Sequence, residues 1–421
     1  MDSTARYEAG CLAALGVGAA LLALLRPDKA IDFRVYYENA HHYFRAGQAM
    51  YGPSSGTGWA GGVYRYPPLF LDLFRPLALL PLRLAVVLWA IGKIAAGGAL
   101  VVLARRRWGV SSLLRFWPGL LLIAPYFIQE LRYGNAQFYI VALALAGLWV
   151  AESPGWGGVW LGLAAALKIW PLFFFPFLFL QRQWSRLAAA TGAAVVWTLL
   201  PILWRGWTAQ WRLLGQWLAQ ERSIAATSAG AGELWYPGQS LHDVMARYLT
   251  RVDYAHLVDG HYPQIAWLNL SPAAFDAVWW GAAALLLAGL AWCVWRGGDS
   301  EPDRHTHLAL LFCGVVVLEP HVHRLILETL LFPAIWMACL WVRGALGPWS
   351  RSGYAVAVAV AALEPLVPGG ARQRVMQAYG VDFWLVVVPL TVAVVAALPK
   401  PRQKRDLRQI KDARSQAVGA H

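Results

Sequence analysis

Residues 82–107 read LRLAVVLWAIGKIAAGGALVVLARRR. Up to residue 104 the run is apolar enough, and long enough, to cross the roughly 30 Å hydrocarbon core of a bilayer as a helix. It ends on Arg105, Arg106 and Arg107, the strongest topological signal in the chain. Short loops rich in Lys and Arg stay in the cytoplasm. This end is therefore expected inside, and the polar stretch that precedes the span is expected outside. Lys93 interrupts the run at depth. A charge there either pairs with a neighbouring helix or lines a polar cavity.

The outer stretch, residues 26–81, follows a first apolar run at 9–25 and contains Ile31-Asp32-Phe33-Arg34-Val35-Tyr36-Tyr37-Glu38-Asn39-Ala40. A helix starting at Phe33 would carry Phe33, Tyr37, Ala40 and Phe44 on one face. Arg34, Glu38, His41 and Arg45 would fall on another. Such a helix lies in the membrane interface, apolar side down. Asp32 stands at its entrance. Two roles fit that place: an N-cap, for which Asp is favoured, or an acid that meets a substrate with its head in water and its tail in lipid.

Composition supports the membrane reading. The chain has 421 residues, 58% hydrophobic and 14% charged, against roughly 25% charged in soluble domains. Mean hydropathy is +0.46. The 24 Trp suit a chain with many membrane interfaces. The net charge of +13 sits largely in short loops and in the tail at 400–411, so it does not point to nucleic acid. Cys11, Cys293, Cys313 and Cys339 all fall in apolar runs and read as small hydrophobes. No small-residue cleavage site follows the first run, so it reads as a retained helix.

Further apolar runs cover residues 113–129, 138–151, 187–204, 277–295, 305–318 and 325–342, with a final pair at 352–366 and 383–398. Residues 153–167 and 169–181 are each short for a crossing; they read as a tight pair meeting at Lys168, ahead of Pro171. A second outer segment, 205–276, begins with Trp204, Trp207, Trp211 and Trp217, the pattern of another interfacial helix. The sum is an all-α polytopic membrane protein of about twelve transmembrane helices. It forms one transmembrane domain over residues 1–400, with both termini inside and a basic cytoplasmic tail at 401–421.

Polar residues sort by side. The expected outer side holds Asp32, Arg65, Tyr66, Glu130, Asn135, Gln137, Lys168, Gln239, His321, His323 and Glu328, while the inner side is mostly Arg and Lys. Lys168 either snorkels from a helix end or serves a site. Glu319, His321, His323, Arg324 and Glu328 crowd ten residues, yet His321 and His323 are two apart and face different ways on a helix, so metal is weakly supported. A phosphate-cradling glycine loop, a Gly-x-Ser-x-Gly elbow and a Cys-x-x-Cys pair are all absent. Their absence argues against a nucleotide donor handled by a soluble nucleotide-binding domain.

Taken together these stretches resemble glycosyltransferase family 87. Its members are multi-pass GT-C transferases, among them the polyprenyl-phosphate-mannose-dependent α-1,2-mannosyltransferases of mycobacterial phosphatidylinositol mannosides. The resemblance is carried by Asp32 with Phe33, Val35 and Tyr36; by Tyr66-Pro67-Pro68-Leu69 with Pro76-Leu77-Ala78-Leu79-Leu80-Pro81; by Gly134-Asn135-Ala136-Gln137 with Leu167-Lys168-Ile169-Trp170-Pro171; and by Gln239-Ser240-Leu241 with Arg247. There are departures. The amides of Asn135 and Gln137 are swapped against the family's Gly-Gln-x-Asn. Gly238 replaces an Asn before Gln239. Glu319-Pro320-His321-Val322-His323 stands where the family has Ser-Pro-x-Ser-Trp followed by His, so the family's histidine could be His321 or His323.

The resemblance implies a GT-C fold with interfacial helices in the outer loops, in a bacterial plasma membrane. It implies transfer of a hexose, mannose by analogy, from a polyprenyl-phosphate donor to an extracytoplasmic lipid or glycan acceptor, with inversion. Asp32 would be the general base. Lys168, Arg65, His321 and His323 would face the donor phosphate, with Tyr66, Asn135, Gln137 and Gln239 around the substrate. Neither metal nor cofactor is required, and a monomer is expected. Two alternatives stay open: a transporter or flippase for a lipid-linked sugar, and a GT-C transferase for another sugar such as arabinose.

Overall fold

The computed structural model describes residues 30–52, 63–230, 238–251, 263–296, 300–320, 322–368 and 370–398. The first apolar run at 9–25, His321 and the tail at 401–421 lie outside the described residues. Among the described residues the fold is all helical; the one β-type contact is an isolated bridge between Gly238 and His323.

In chain order, α1 (Ile31–Ala46) and α2 (Pro68–Ala78) precede α3 (Leu82–Arg107), α4 (Trp117–Tyr133) and α5 (Gln137–Leu145). A π turn at Ala146–Val150 ends α5, and α6 (Pro154–Leu167) follows. After Lys168 a 3-10 turn, Trp170–Phe174, leads into α7 (Phe175–Leu180) and then α8 (Trp184–Leu199). Next are α9 (Trp207–Gly230), α10 (Leu241–Leu249), α11 (Pro272–Arg296) and α12 (Glu301–Leu318). A 3-10 turn, Arg324–Leu330, enters α13 (Leu331–Val342), followed by α14 (Pro348–Leu363), α15 (Gly370–Ala378) and α16 (Val388–Ala396).

Among the described residues four helices are long and apolar enough to cross a membrane: Leu82–Arg107, Trp184–Arg205, Pro272–Arg296 and Arg324–Val342. A pair bent by 65°, Gly370–Ala378 with Phe383–Ala396, makes a fifth if counted as one span. Fewer described helices meet that test than the twelve expected from hydropathy runs. The physical reason is that several runs are broken. The run at 138–151 ends in the π turn, and the run at 169–181 is half 3-10 turn. The run at 113–129 starts with a 3-10 turn at Leu113–Phe116.

Lipid-facing surface is evident on α8 and α11. Val196 and Leu285 remain 60% and 77% exposed, a poor arrangement for water and a natural one for acyl chains. By contrast α13 is apolar all round and buried from Leu331 to Cys339, so it forms the centre of the bundle. Small residues let the helices close. A Cβ on Gly162 of α6 would lie 2.6 Å from the carbonyl oxygen of Ala190 on α8. A Cβ on Gly119 of α4 would lie 2.6 Å from that of Ala334 on α13. In lipid such close approach drives helix association.

The two helices expected between the spans, near residues 33–45 and after Trp204, do form, but they differ in detail. α1 begins at Ile31 and buries Phe33, Val35, Tyr36, Asn39 and Ala40, so its inner face is centred on Tyr36 rather than on Tyr37 and Phe44. Arg34 and Glu38 pair on the other face at 3.1 Å. The tryptophan pattern does form a helix, α9. Trp217 Nε1 donates to the carbonyl of Arg65 (3.0 Å) and Gln220 Nε2 to that of Tyr64 (2.8 Å).

Candidate active site

Gly134 shapes the site. It ends α4 in the left-handed conformation (φ 72°), and a Cβ there would meet Phe33 Cβ at 2.6 Å. Only glycine satisfies both conditions. The entrance of α1 is thereby laid directly against the loop that carries Asn135. Phe33 is also held by the rings of Phe74 and Trp89, at centroid distances of 5.2 and 5.8 Å.

Asp32 is not the N-cap of α1. That position is Ala30, with no side-chain cap bond, and Asp32 lies in the first turn. Its Oδ2 instead accepts a hydrogen bond from Asn135 Nδ2 at 2.9 Å. The capping role weighed from the sequence is therefore set aside. Burial raises the Asp32 pKa above the ordinary carboxylate value. The Asn135 bond and the charges of Lys93 and Lys168 oppose that shift.

Asn135 has a fixed orientation. Its Oδ1 accepts from the Gln137 amide N–H (2.8 Å), a local Asx-type bond, and from the Tyr66 hydroxyl (3.2 Å). With the oxygen engaged twice, the NH₂ is left to face the acid. Tyr66 is buried, receives the Tyr36 hydroxyl (3.3 Å) and is braced by Tyr51, which donates to its carbonyl (2.7 Å).

Gln137 has the complementary task. Its Oε1 accepts from Lys168 Nζ at 2.6 Å and from Trp170 Nε1 at 3.2 Å, while Nε2 donates to Thr329 Oγ1 at 3.1 Å. Lys168 follows the end of α6 with extended backbone, and its ammonium also lies 5.8 Å from the centre of the Tyr66 ring. Asp32, Tyr66, Asn135, Gln137 and Lys168 thus form one connected group. The swapped amides acquire a reading: the nearer holds the acid and the farther holds the cation.

Behind the group lies a buried ion pair. Lys93 Nζ and Glu130 Oε2 are 2.6 Å apart with both side chains fully buried. Glu130 Oε1 also accepts from the Phe138 amide at the start of α5 (3.3 Å). Of the two options for Lys93, pairing is the one realised. Glu130, expected among the outer polar residues, is fully buried within the protein. Glu328 is fully buried as well, and neither of its carboxylate oxygens has a hydrogen-bond partner. It lies within electrostatic reach of Lys93, Lys168 and Tyr66.

Three expected site residues are placed differently. Arg65 is within electrostatic reach of Lys168, but its guanidinium makes a two-point pair with Glu221 of α9, at 2.8 and 3.2 Å. Gln239 is a structural pin. Its N–H donates to Val322 O (2.6 Å), its Nε2 to Gln377 O (2.9 Å), and its Oε1 accepts from the Phe383 amide (3.4 Å). Those bonds occupy the amide that was expected on substrate. Arg247 of the same motif also works on the fold, donating to Ala378 O and Gly238 O at 2.8 Å each. His323 precedes the turn into α13 and bridges to Gly238; His321 lies outside the described residues. Arg324, grouped with them by sequence, turns away to Glu364 and Asp382.

The fold and the site define a multi-pass membrane protein, all helical over its described residues, that holds one acid, two amides and a lysine together at the entrance of α1. The model of glycosyltransferase family 87 matches residues 64–320, and the chain belongs to that family. Asp32 precedes the matched stretch. Over 146 residues the chain is 31% identical to a polyprenol-phosphate-mannose-dependent alpha-(1-2)-phosphatidylinositol pentamannoside mannosyltransferase of Mycolicibacterium smegmatis, covering 34% of each protein. Over 211 residues it is 26% identical to a polyprenol-phosphate-mannose-dependent alpha-(1-2)-phosphatidylinositol mannoside mannosyltransferase of Mycobacterium tuberculosis. That match covers 42% of this chain and 47% of the relative, so the chain spans less than half of these curated relatives. No solved structure matches it.

Proposed function

We propose that the protein is a membrane mannosyltransferase. It takes mannose from a polyprenyl-phosphate donor and passes it to a lipid or glycan acceptor on the extracytoplasmic face of a bacterial plasma membrane. Family membership and the polyprenol-phosphate-mannose dependence of the two named relatives support the class of reaction. We extend the reading to a GT-C fold of about twelve crossings over residues 1–400, acting as a monomer.

In the reaction Asp32 accepts the proton of an acceptor hydroxyl as that oxygen attacks the anomeric carbon. The new C–O bond forms as the bond from carbon to phosphate oxygen breaks. The electron pair leaves with the polyprenyl phosphate, so configuration inverts. One carboxylate suffices because phosphate departs without a proton, whereas glycoside hydrolysis uses two. Lys168 offsets the charge that develops on the phosphate. Arg65, His321 and His323 are further candidates for that task.

The observation that carries this reading is the Asn135 N–H on Asp32, which presents the acid as an acceptor rather than as a helix cap. The test is Asp32→Asn, assayed in membranes with polyprenyl-phosphate mannose. General-base assistance is worth about 10²–10⁴ in rate. The amide variant should insert normally and lose transfer on that scale. Retention of more than about a tenth of the activity would exclude the base. Glu38→Gln, which disturbs only an outward pair with Arg34, is the control.

A further inference from the structure

A cavity of about 900 Å³ opens far from Asp32. Its wall includes the start of α6, whose other end carries Lys168. The 14 residues of α6 place the two about 20 Å apart at 1.5 Å per residue. Arg107, Arg182, Arg186 and Arg304 line it, against the carboxylates of Glu152 and Glu301.

Two of the arginines have work within the fold. Arg107 Nη1 donates to Trp149 O at 2.5 Å, and Arg186 donates to Leu148 O and Ala151 O at 3.4 and 3.3 Å. They satisfy carbonyls left open by the π turn. Even so, Arg186 Nε is buried without a partner. The other two, Arg182 and Arg304, are exposed, and neither side chain has a hydrogen-bond or ion-pair partner among the described residues. Arg182 is also the one described non-glycine residue with positive φ (55°). That conformation belongs to the turn that ends α7, where Arg182 N–H donates to Phe179 O (3.0 Å) and Gln183 N–H to Leu178 O (2.9 Å). The acidic residues leave the cations in excess. Glu301 meets Arg107 only at 3.6 Å and is itself 64% exposed, a weak pair.

The rim supplies the second line of argument. Trp184, at the start of α8, and Trp295, in the last turn of α11, line the cavity and are 52% and 65% exposed. Both helices are candidate spans, so these rings stand at helix ends where aromatic side chains mark the headgroup level. Unpaired guanidinium groups at that level, on an open cavity between helices, match the chemistry of a lipid phosphate.

We propose that this cavity binds the phosphate of an anionic phospholipid, in the leaflet opposite Asp32. The proposal rests on the membrane-embedded fold and is independent of the donor, the acceptor and the role of Asp32. The test uses the full chain in phosphatidylcholine nanodiscs doped with phosphatidylglycerol, with bound lipid measured by native mass spectrometry. Wild type should retain phosphatidylglycerol over phosphatidylcholine. Arg182→Gln with Arg304→Gln should weaken that retention at least about tenfold, and Glu152→Gln should not. Both arginines are exposed, so unfolding transitions in pure phosphatidylcholine should coincide; if the double variant fails to fold, Arg304→Gln alone is read. Undiminished retention in the arginine variants would overturn the proposal. So would equal occupancy by inorganic phosphate in pure phosphatidylcholine, which would assign the cavity to a soluble phosphate.

Discussion

Asn135 Nδ2 stands 2.9 Å from Asp32 Oδ2 and donates to it, across 103 residues of chain. The bond favours the ionised acid and partly offsets the burial that raises its pKa. Asp32 accepts a proton only when ionised, so transfer should fall as pH drops through its pKa. Removing the donor, as in Asn135→Leu, raises that pKa and moves the acidic limb of the kcat/KM profile to higher pH. Tyr66→Phe removes a donor to Asn135 Oδ1 and the acceptor of the Tyr36 hydroxyl but leaves the Asn135–Asp32 bond in place, and should shift the limb less. Superimposable profiles for Asn135→Leu and wild type would separate the amide from the acid.

Lys168 should act through the donor. Its ammonium is steered by Gln137 at 2.6 Å. Replacing it with Met removes a charge-assisted contact worth about 1.5–3 kcal/mol, which corresponds to a rise of roughly ten- to a hundredfold in donor KM. The acceptor KM should change little. An unchanged donor KM would leave Lys168 as a snorkelling residue.

The Lys93–Glu130 pair should govern stability. Both side chains are fully buried at 2.6 Å. Glu130→Gln leaves an uncompensated charge inside the bundle, at a cost of about 3–5 kcal/mol. Lys93→Met combined with Glu130→Gln removes the charge and should recover most of the loss. Thermal unfolding in detergent measures both. A double variant no more stable than Glu130→Gln would show that Lys93 is not the group left stranded.

Much of the site is legible because an apolar chain isolates its polar residues. Asp32, Asn135, Gln137 and Lys168 stand out in sequence, and the break at Lys168 falls between α6 and the turn that follows. Partners are not legible. Glu130 reads as a loop acid until α4 is seen to carry it inward beside α3. Lys93 was the available signal, since an intramembrane charge requires a counter-charge. Arg65 and Glu221 are 156 residues apart and meet only because α9 folds over the loop. The number of crossings is harder still, because hydropathy registers an apolar run without its π and 3-10 turns. An amide in a loop also reads the same whether it faces substrate or backbone, and in this structure the Gln239 side chain is bonded to backbone.

Gln239 provides the last test, because its two roles give opposite kinetics. As a substrate contact, Gln239→Ala would raise a KM and leave unfolding nearly unchanged. As a pin it should do the reverse. The variant strips a partner from the Phe383 amide, which Gln239 engages at 3.4 Å, while Gln377 O keeps the Gly380 N–H (2.9 Å) and Arg247 Nη2 (3.3 Å). Buried groups left without partners cost about 1–3 kcal/mol. The backbone bond to Val322 O survives the substitution, so the loop should stay attached to the turn before α13. We therefore expect a lower unfolding temperature, with donor and acceptor KM near wild type at temperatures where the variant is folded. Arg247→Ala should behave alike and more severely, since it frees Ala378 O and Gly238 O together. A raised donor KM in Gln239→Ala with an unshifted transition would return that amide to the substrate.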